Sequence, residues 1–245
     1  MPEPMVEALG LRREWAMPSG PPLVAVDDLS FTVGVGEVFG LLGANGAGKS
    51  TTLRMLATLT APSSGTARVA GHDVVADPTG VRGSLGYLSA SSGLPTRVTC
   101  REVLELFAGL HRVARPAEAV ERAIGRFGIT EFADRRIESL STGMRQRVRI
   151  ATAAIHQPPV LILDEPTAGL DVVSADRLLD SITEARARGT TVIFSTHVLR
   201  EASRICDRIG IVDQGKLLAI GTPAEWMERT GTSSFDDAFV AMVRR

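Results

Sequence analysis

Apolar and β-branched residues cluster in short runs near the start of the chain, a pattern typical of strands. Val24–Val26 and Leu29–Val33 are such runs, and Glu37–Leu42, after a Gly34–Gly36 turn, is apolar enough for a buried strand. Leucines at helical spacing then predict a helix over Lys49–Leu59. We therefore expect a buried strand that leads through a glycine-rich loop directly into a helix.

The middle of the chain, from about Thr99 to His156, has the helical period instead. Thr99 and Glu102 have the spacing of a capping box, which marks a helix N-terminus. Further helices are predicted over Ala117–Phe127 and Thr142–Ile155. This stretch predicts a helical lobe inserted between two halves of an α/β core. The helix after Thr99 should pack through one apolar face, composed of Val103, Leu106, Phe107 and Leu110.

Beyond this lobe the chain returns to alternating strands and helices. That alternation is typical of a mainly parallel sheet covered by helices. The predicted elements are a strand at Val160–Leu163, a helix at Val173–Arg188, a strand at Thr191–Ser195, a hairpin of Ile209–Val212 with Leu217–Ile220, and a docked helix within Ser233–Arg245.

Composition narrows the class of protein. Of the 245 residues, 44% are hydrophobic but only 4% are aromatic, so the core should consist of aliphatic side chains. The formal net charge of −1 gives no electrostatic argument for binding nucleic acid or a membrane surface. The longest stretches without a charged residue, Gly83–Thr96 and Ile150–Leu163, have 14 residues, whereas a spanning helix needs roughly 18. We expect no membrane span and, because Glu3 and Glu7 replace a basic region, no secretory signal.

Two residue types are scarce enough to stand out. Cys100 and Cys206 lie far apart without a metal-binding spacing and are expected to be reduced, buried thiols. The basic residues are 25 arginines and two lysines, Lys49 and Lys216. A position that keeps lysine in so arginine-rich a chain is a candidate for a role that needs a compact ammonium group.

Gly43–Ser50 matches the phosphate-binding pattern G-x-x-x-x-G-K-[ST] in full, between a predicted strand and a predicted helix. Backbone N–H groups of such a loop, together with the helix N-terminus, bind β- and γ-phosphates. Lys49 would place its ammonium at the phosphate oxygens, and Ser50 Oγ would ligate Mg²⁺. The predicted nucleotide-binding residues are Gly43, Asn45, Gly46, Ala47, Gly48, Lys49, Ser50 and Thr51.

The apolar strand Val160–Leu163 ends in two adjacent carboxylates, Asp164 and Glu165. In a phosphate-loop core we expect this strand to lie beside the loop strand, with its end at the site. Asp164 would then hold Mg²⁺, and Glu165 would polarise an attacking water as general base. Alone the pattern is a common strand end, but downstream of Gly43–Ser50 it favours a catalytic role.

Further segments carry a resemblance to a known family. Leu140–Arg147 (Leu-Ser-Thr-Gly-Met-Arg-Gln-Arg) resembles the signature motif of ABC-type ATPases and begins 20 residues before the acidic strand. Asp164–Asp171 resembles the acidic motif and D-loop of that family, and Ser195–His197 resembles its switch-histidine motif. Together with Gly43–Ser50, these motifs follow the family's order over about 155 residues, and the similarity extends over most of the chain.

The resemblance implies ATP and Mg²⁺ as cofactors, and a second copy or another ABC ATPase subunit as partner. Ser141 and Gly143 lie at the start of a predicted helix, where a hydroxyl and bare backbone can receive an anion. In the family two subunits dimerise head to tail, so that each signature helix covers the γ-phosphate held by its partner. Asp171 would lie at this interface, which ATP holds together and hydrolysis loosens.

His197 follows a predicted strand and so lies at a strand end, where ligands bind. The resemblance implies that His197 contacts the γ-phosphate and holds Glu165 and the attacking water in place. The remaining histidines have no such context and are expected to be ordinary surface or core residues; they are His72, His111 and His156.

Two positions fit the family pattern less well. Trp15 matches the upstream aromatic that stacks on adenine, but it lies 34 residues before Lys49, and the alternative is a surface or core tryptophan. Ala90 stands where the family usually has a glutamine that senses the metal and couples the two lobes. Ser89 or Ser91 could substitute in part, and sodium-exporter-like members resemble this chain in having a Ser/Gly-rich loop here.

The expected fold is an α/β P-loop NTPase core of the RecA-like kind, with an N-terminal antiparallel β-subdomain and an inserted α-helical subdomain. We expect one ABC ATPase domain over 1–245, with the core at 1–88 and 157–222, the helical signature subdomain at 89–156 and a helical tail at 223–245.

The resemblance implies the ATP-hydrolysing subunit of a transporter that exports sodium ions or drugs. Separate membrane-spanning permease subunits would hold it at the inner face of the cell membrane, and the closing segment Phe235–Met242 resembles that of the exporter group. Two alternatives stay open: a soluble ABC ATPase of translation or DNA repair, and a nucleotide-gated subunit that does not hydrolyse ATP.

Overall fold

A computed structural model describes residues 3–90 and 93–243 of the chain. Its strands are β1 (Val6–Trp15), β2 (Leu23–Val33), β3 (Val38–Leu42), β4 (Ser64–Val69), β5 (His72–Asp73), β6 (Leu85–Leu88), β7 (Val160–Asp164), β8 (Thr191–Thr196), β9 (Arg208–Asp213) and β10 (Lys216–Gly221). Its α-helices are α1 (Lys49–Leu56), α2 (Pro78–Ser84), α3 (Cys100–Leu110), α4 (Pro116–Arg126), α5 (Thr142–Ala154), α6 (Val172–Ala187), α7 (Leu199–Ile205), α8 (Pro223–Thr230) and α9 (Phe235–Val243). Short 3₁₀ turns occupy Thr130–Phe132 and Ile137–Ser139.

Two sheets form the centre of the molecule. The first is antiparallel, with strand order β2-β1-β4-β5. The second has the order β10-β9-β3-β8-β7-β6 and is parallel except for the β9–β10 hairpin. Phe31 of the first sheet stacks on Phe39 of the second with ring centroids 5.0 Å apart, so the sheets share one apolar layer. The expected α/β core with an antiparallel subdomain is confirmed.

The expectation that β7 lies beside β3 is wrong, because β8 lies between these two strands. Parallel strands nevertheless end at one edge of a sheet, so the site still forms there. The intervening strand contributes Ser195, whose hydroxyl reaches across to Asp164 at 2.8 Å. Asp164 at the end of β7 is thus linked to β8 through Ser195, and Ser50 Oγ links the same carboxylate to α1 at 2.9 Å.

The strand β1 has no counterpart in the sequence prediction. Val6, Ala8 and Leu11 are fully buried, but the register shifts between Ala8 and Leu11 break the two-residue period on which the prediction depends. Gly10, with φ of 59°, lies in this irregular segment. In a bulged strand the alternation of buried and exposed positions is interrupted, so the sequence pattern does not indicate a strand.

The helical lobe consists of α3, α4 and α5 and packs around a shared apolar cluster. The capping box at Thr99 is present: its Oγ1 accepts from the Glu102 N–H at 3.2 Å, and the Glu102 carboxylate accepts from the Thr99 N–H at 2.7 Å. The predicted apolar face of α3 is partly wrong, because Leu106 and Leu110 are exposed. The helix is buried instead through Val103, Leu104 and Ala108, where α4 and α5 cover it.

The expected positions of the cysteines and of the tail agree with the structure. Both cysteines are free and buried, and burial raises the pKa of each thiol. Helix α9 docks through Phe235 and Ala238 onto α8 and α7. No helix in the described part of the chain combines the length and apolarity needed to cross a bilayer.

His111 and His156 form a stacked pair that joins the end of α3 to the end of α5, with ring centroids 3.8 Å apart. Burial, together with the neighbouring His111, lowers the pKa of His156 to about 4. His156 therefore stays neutral at neutral pH and packs as an aromatic side chain.

Candidate functional site

The loop between β3 and α1 is held by tight backbone packing. A Cβ on Gly43 would lie 2.1 Å from the Val212 carbonyl oxygen, and one on Gly48 would lie 2.5 Å from that of Ala25. Gly48 also has φ of +104°, a conformation that L side chains rarely adopt. The sequence needs glycine at both ends of this loop, and the remaining predicted loop residues, Asn45, Gly46, Ala47 and Thr51, lie between or just beyond them.

Lys49 begins α1 and is buried, with only 4% of its surface exposed. Its Nζ donates to the carbonyl oxygens of Gly43 at 2.8 Å and Ala44 at 3.0 Å, and lies 3.5 Å from Glu165 Oε1. The other lysine, Lys216, is 62% exposed in its side chain and lies 3.5 Å from Asp27. The compact ammonium of Lys49 is therefore enclosed by the loop, whereas that of Lys216 is in solvent.

Asp164 and Ser50 present neighbouring oxygen atoms of the kind that ligate hard cations. Ser50 Oγ donates to Asp164 Oδ1 at 2.9 Å, and Ser195 Oγ donates to the same oxygen at 2.8 Å. The other carboxylate oxygen, Asp164 Oδ2, is buried and has no hydrogen-bond partner among the described residues. A buried carboxylate oxygen beside a hydroxyl suits Mg²⁺, which keeps few protein ligands and completes its shell with phosphate and water. These residues therefore fit the expected metal.

Glu165 is held in an unusual backbone conformation, with φ of 45°. Its N–H donates to Ser195 Oγ at 2.9 Å, which anchors the turn. Its two carboxylate oxygens lie 3.5 Å from Lys49 Nζ and 3.3 Å from His197 Nδ1. The structure thus brings together four residues that the sequence singled out separately, namely Lys49, Asp164, Glu165 and His197.

A half-buried hydrogen-bond cluster beside Glu165 and His197 went unrecognised in the sequence. Glu201 Oε2 accepts from Thr167 Oγ1 at 2.8 Å and from Thr196 Oγ1 at 2.7 Å. Thr196 Oγ1 also accepts from the Val198 N–H at 3.0 Å, so it brackets His197. The carboxylate therefore joins the turn after Glu165 to the turn that carries His197. The only sequence signal is a threonine in each motif and a glutamate one helical turn after the histidine.

The signature segment lies at the start of α5 and contacts the first turn of α6. Ser141 caps the helix, its Oγ accepting from the Met144 N–H at 3.2 Å, and it is exposed. A Cβ on Gly143 would lie 2.8 Å from Ser174 Oγ, which itself donates to Asp171 Oδ2 at 2.7 Å. Hydrogen bonds from Ser174 lower the pKa of the Asp171 carboxyl, which caps α6. The signature helix is thus in contact with the first turn of α6, which Asp171 caps.

Trp15 is the last residue of β1 and pairs with Leu23 of β2, two residues before the Ala25 carbonyl that packs on Gly48. It is 41% exposed, and the Arg13 guanidinium lies 3.9 Å from the centroid of its ring. Trp15 therefore belongs to the hairpin that touches the phosphate loop.

A cavity of about 380 Å³ lies between the core and the helical lobe, next to Ala90. Its wall is largely apolar and includes Tyr87, Leu94 and Phe107. Ser91, one of the two serines that could substitute for the missing glutamine, lies outside the described residues. Ser89 lines the cavity, and its carbonyl oxygen accepts a hydrogen bond from Arg149.

Comparison with known sequences gives consistent matches. A family model described as ABC transporter matches residues 26–168, more than half of the chain. The daunorubicin/doxorubicin resistance ATP-binding protein DrrA of Streptomyces peucetius is 41% identical over 85% of this chain, which spans 64% of the length of DrrA. The ABC transporter ATP-binding protein NatA of Bacillus subtilis is 36% identical, over 90% of this chain and 91% of its own.

Comparison with solved structures agrees. An ATP-binding subunit of an ABC transporter superposes with a TM-score of 0.84 at 29% identity, over 98% of this chain and 99% of its own. A dimeric ATP-binding cassette, solved after hydrolysis with ADP and Pi, has a TM-score of 0.80 over 89% of this chain and 98% of its own. At 23% identity the second match shows likeness of fold alone.

Proposed function

This chain belongs to the ABC transporter family as an ATP-binding subunit, and from that premise we propose that it binds ATP with Mg²⁺ and hydrolyses the bond to the γ-phosphate. One observation carries the proposal. The enclosed ammonium of Lys49, the carboxylate of Glu165 and the ring of His197 meet at the carboxyl ends of β3, β7 and β8, beside the Ser50–Asp164 pair.

Each residue has a role that follows from its position. The loop N–H groups and Lys49 hold the β- and γ-phosphates, and Ser50 and Asp164 hold Mg²⁺. When bound, Mg²⁺ supplies positive charge that stabilises the charge developing on the phosphate oxygens. Glu165 accepts a proton from the attacking water, and His197, 3.3 Å away, orients that carboxylate.

We propose that the site is completed by a second subunit in a head-to-tail dimer. Ser141 is exposed at a helix N-terminus, where it can receive the γ-phosphate held by a partner. Asp171 and Ser174 connect this segment to the turn after Glu165. The second subunit is another copy of this chain or a related ATPase subunit.

We propose that the subunit drives export through separate membrane-spanning permease subunits and is held at the inner face of the membrane by them. The relatives support this class, because DrrA is named for daunorubicin and doxorubicin resistance, and LnrL of Bacillus subtilis, 36% identical over 89% of this chain, for linearmycin resistance. Drugs or sodium ions are the proposed substrate classes. The cavity beside Ala90 is the proposed docking place of a cytoplasmic permease segment.

Phosphate release by the purified protein tests the enzymatic part. Glu165→Gln should lower kcat by about 10²- to 10⁴-fold while ATP still binds, because only the proton acceptor is lost. Glu184→Gln is the matched control, since Glu184 lies on α6 in an exposed pair with Arg188. Equal turnover by the wild type and Glu165→Gln would overturn the proposal.

The transport part needs the native complex. Extraction in detergent should recover a polytopic membrane protein with this subunit. A deletion strain should then lose either drug efflux or sodium efflux, and it should regain that efflux only with an intact Glu165. Recovery of translation or repair factors instead would favour a soluble ABC ATPase.

A further inference from the structure

A chain of hydrogen bonds through α5 connects the segment at Ala90 to the turn at residues 165–170, which we call the catalytic turn. The Arg149 guanidinium donates through Nη2 to the Ser89 carbonyl oxygen and lies 3.5 Å from that of Ala90. Its Nη1 donates to Gln146 Oε1 at 2.7 Å. The Gln146 Nε2 in turn donates to the Pro166 carbonyl oxygen at 2.5 Å.

Gln146 lies at the centre of this connection and gives it a fixed direction of hydrogen bonding. Gln146 is 6% exposed, and its amide accepts on one side and donates on the other. Pro166 directly follows Glu165, whose backbone is already held at φ of 45°. A displacement of the Pro166 carbonyl therefore changes the direction in which the Glu165 carboxylate points.

Other arginines of the same helix do not share this route. Arg145 donates to the Leu140 carbonyl oxygen at 3.1 Å, and Arg147 donates to that of Gly128 at 3.0 Å. Both of these contacts stay within the helical lobe. Only the pair of Arg149 and Gln146 reaches both the cavity wall and the catalytic turn in the described part of the chain.

We propose that Arg149 and Gln146 are positioning residues that couple the cavity beside Ala90 to the orientation of Glu165. The relay uses backbone carbonyls at both ends, so it needs no side chain at position 90. It rests on the proposed function, in which a permease segment occupies the cavity. Movement of the segment at Ser89 displaces the Arg149 guanidinium. The hydrogen-bonded Gln146 amide then moves with it and displaces the Pro166 carbonyl.

The chemistry explains why arginine suits this position. A planar guanidinium donates in two directions at once, whereas a lysine ammonium on a flexible stem cannot hold both acceptors in that geometry. The hydrogen bond from Gln146 to the Pro166 carbonyl oxygen is buried, which strengthens it because water competes poorly for the same groups. Arg149→Lys therefore keeps the charge but should break the connection.

Hydrogen exchange of the nucleotide-free protein tests the relay directly. The reporters are the N–H groups of Ala168 and Leu170, which bond to the carbonyl oxygens of Glu165 and Thr167 within the catalytic turn. Arg149→Lys and Gln146→Ala should each raise exchange there by about tenfold, the effect of one lost buried hydrogen bond. The double variant should add less than a further twofold, because both changes break one connection.

Arg147→Lys is the matched control and should leave exchange in the turn unchanged. Turnover gives a second readout: Arg149→Lys should lower kcat by about tenfold at unchanged KM for ATP, since the phosphate loop is untouched. Faster exchange confined to residues near Ser89, or multiplicative effects in the double variant, would overturn the relay. Because exchange is measured without ATP, an inactive enzyme with a coupled turn would contradict the proposed function alone.

Discussion

The phosphate loop and the signature segment are both glycine-containing helix N-termini, yet they differ in how far this chain completes them. In the loop, Gly43 and Gly48 press against backbone carbonyls, and Lys49 is enclosed at 4% exposure. In the signature segment Ser141 is exposed, and Gly143 contacts α6 of its own chain. One of these two predicted anion-binding sites is enclosed by the fold of its own chain, whereas the other faces outward.

The two motifs should therefore behave differently in an isolated subunit. The loop, with Lys49 and Ser50, should bind nucleotide within a single subunit. The signature segment should contribute only when a second subunit presents a phosphate to Ser141. Variants of the two regions should therefore separate ATP affinity from turnover.

The two lysines give the strongest test of the enclosed loop. Lys49→Arg should weaken ATP binding by about 10³-fold, because a guanidinium overpacks the loop and misplaces the charge-assisted contacts. Lys216→Arg, in an exposed pair with Asp27, should leave the Kd unchanged. Calorimetric titration of both purified variants with ATP measures this, and equal affinities would contradict the enclosed role of Lys49.

The signature segment should show the opposite behaviour. A Cβ in Gly143→Ala would meet Ser174 Oγ at 2.8 Å and displace the helix start, so turnover should fall by about 10²-fold. ATP affinity of the single subunit should stay within about twofold, since the phosphate loop is unchanged. Gly125→Ala on α4, where an added Cβ meets nothing within 4 Å, is the control.

A loss of ATP affinity in Gly143→Ala equal to its loss of turnover would contradict this separation of roles between the two regions. It would mean that the signature segment already contributes to binding inside one chain. Phosphate release and calorimetric titration of the same preparation distinguish these outcomes.

Variants of Glu201 test whether the catalytic turn depends on the hydrogen bonds that Thr167 and Thr196 donate to this carboxylate. Glu201→Ala removes the acceptor of Thr167 and Thr196, so kcat should fall by about tenfold with KM for ATP unchanged. Glu201→Gln should recover most of kcat, because its amide oxygen can still accept from both hydroxyls. Thermal unfolding of each variant provides the control. A loss of kcat in Glu201→Gln equal to that in Glu201→Ala would indicate that the two hydrogen bonds are not the cause.

Local sequence patterns correctly predicted those parts of the molecule whose structure depends on residues close together in the chain. The loop Gly43–Ser50, the capping box at Thr99 and the β9–β10 hairpin are all of this kind. What local patterns missed arises from long-range packing. The bulges in β1 break its period, the neighbours of α3 decide which face is buried, and β8 separates β7 from β3.

The candidate site follows the same division. Lys49, Asp164, Glu165 and His197 lie in recognisable motifs, and the structure brings them together at one sheet edge. Glu201 and Arg149 carry no motif of their own, and their contacts span 34 and 60 residues of sequence. No spacing rule applies to such a contact, because the tertiary fold creates it.

The role of Trp15 determines whether the binding site formed by this chain extends beyond the phosphates to the adenine ring. If its ring stacks on adenine, Trp15→Ala should raise the Kd for ATP about fivefold, the effect of roughly 1 kcal/mol, and Trp15→Phe should recover most of that loss. Fluorescence titration with a labelled nucleotide and competition by ATP measures all three proteins. Its stacking on Arg13 at 3.9 Å supplies the competing interpretation, a surface tryptophan that only packs on its neighbour. In that case Trp15→Ala would bind ATP as tightly as the wild type, and the binding site formed by this chain would end at the loop.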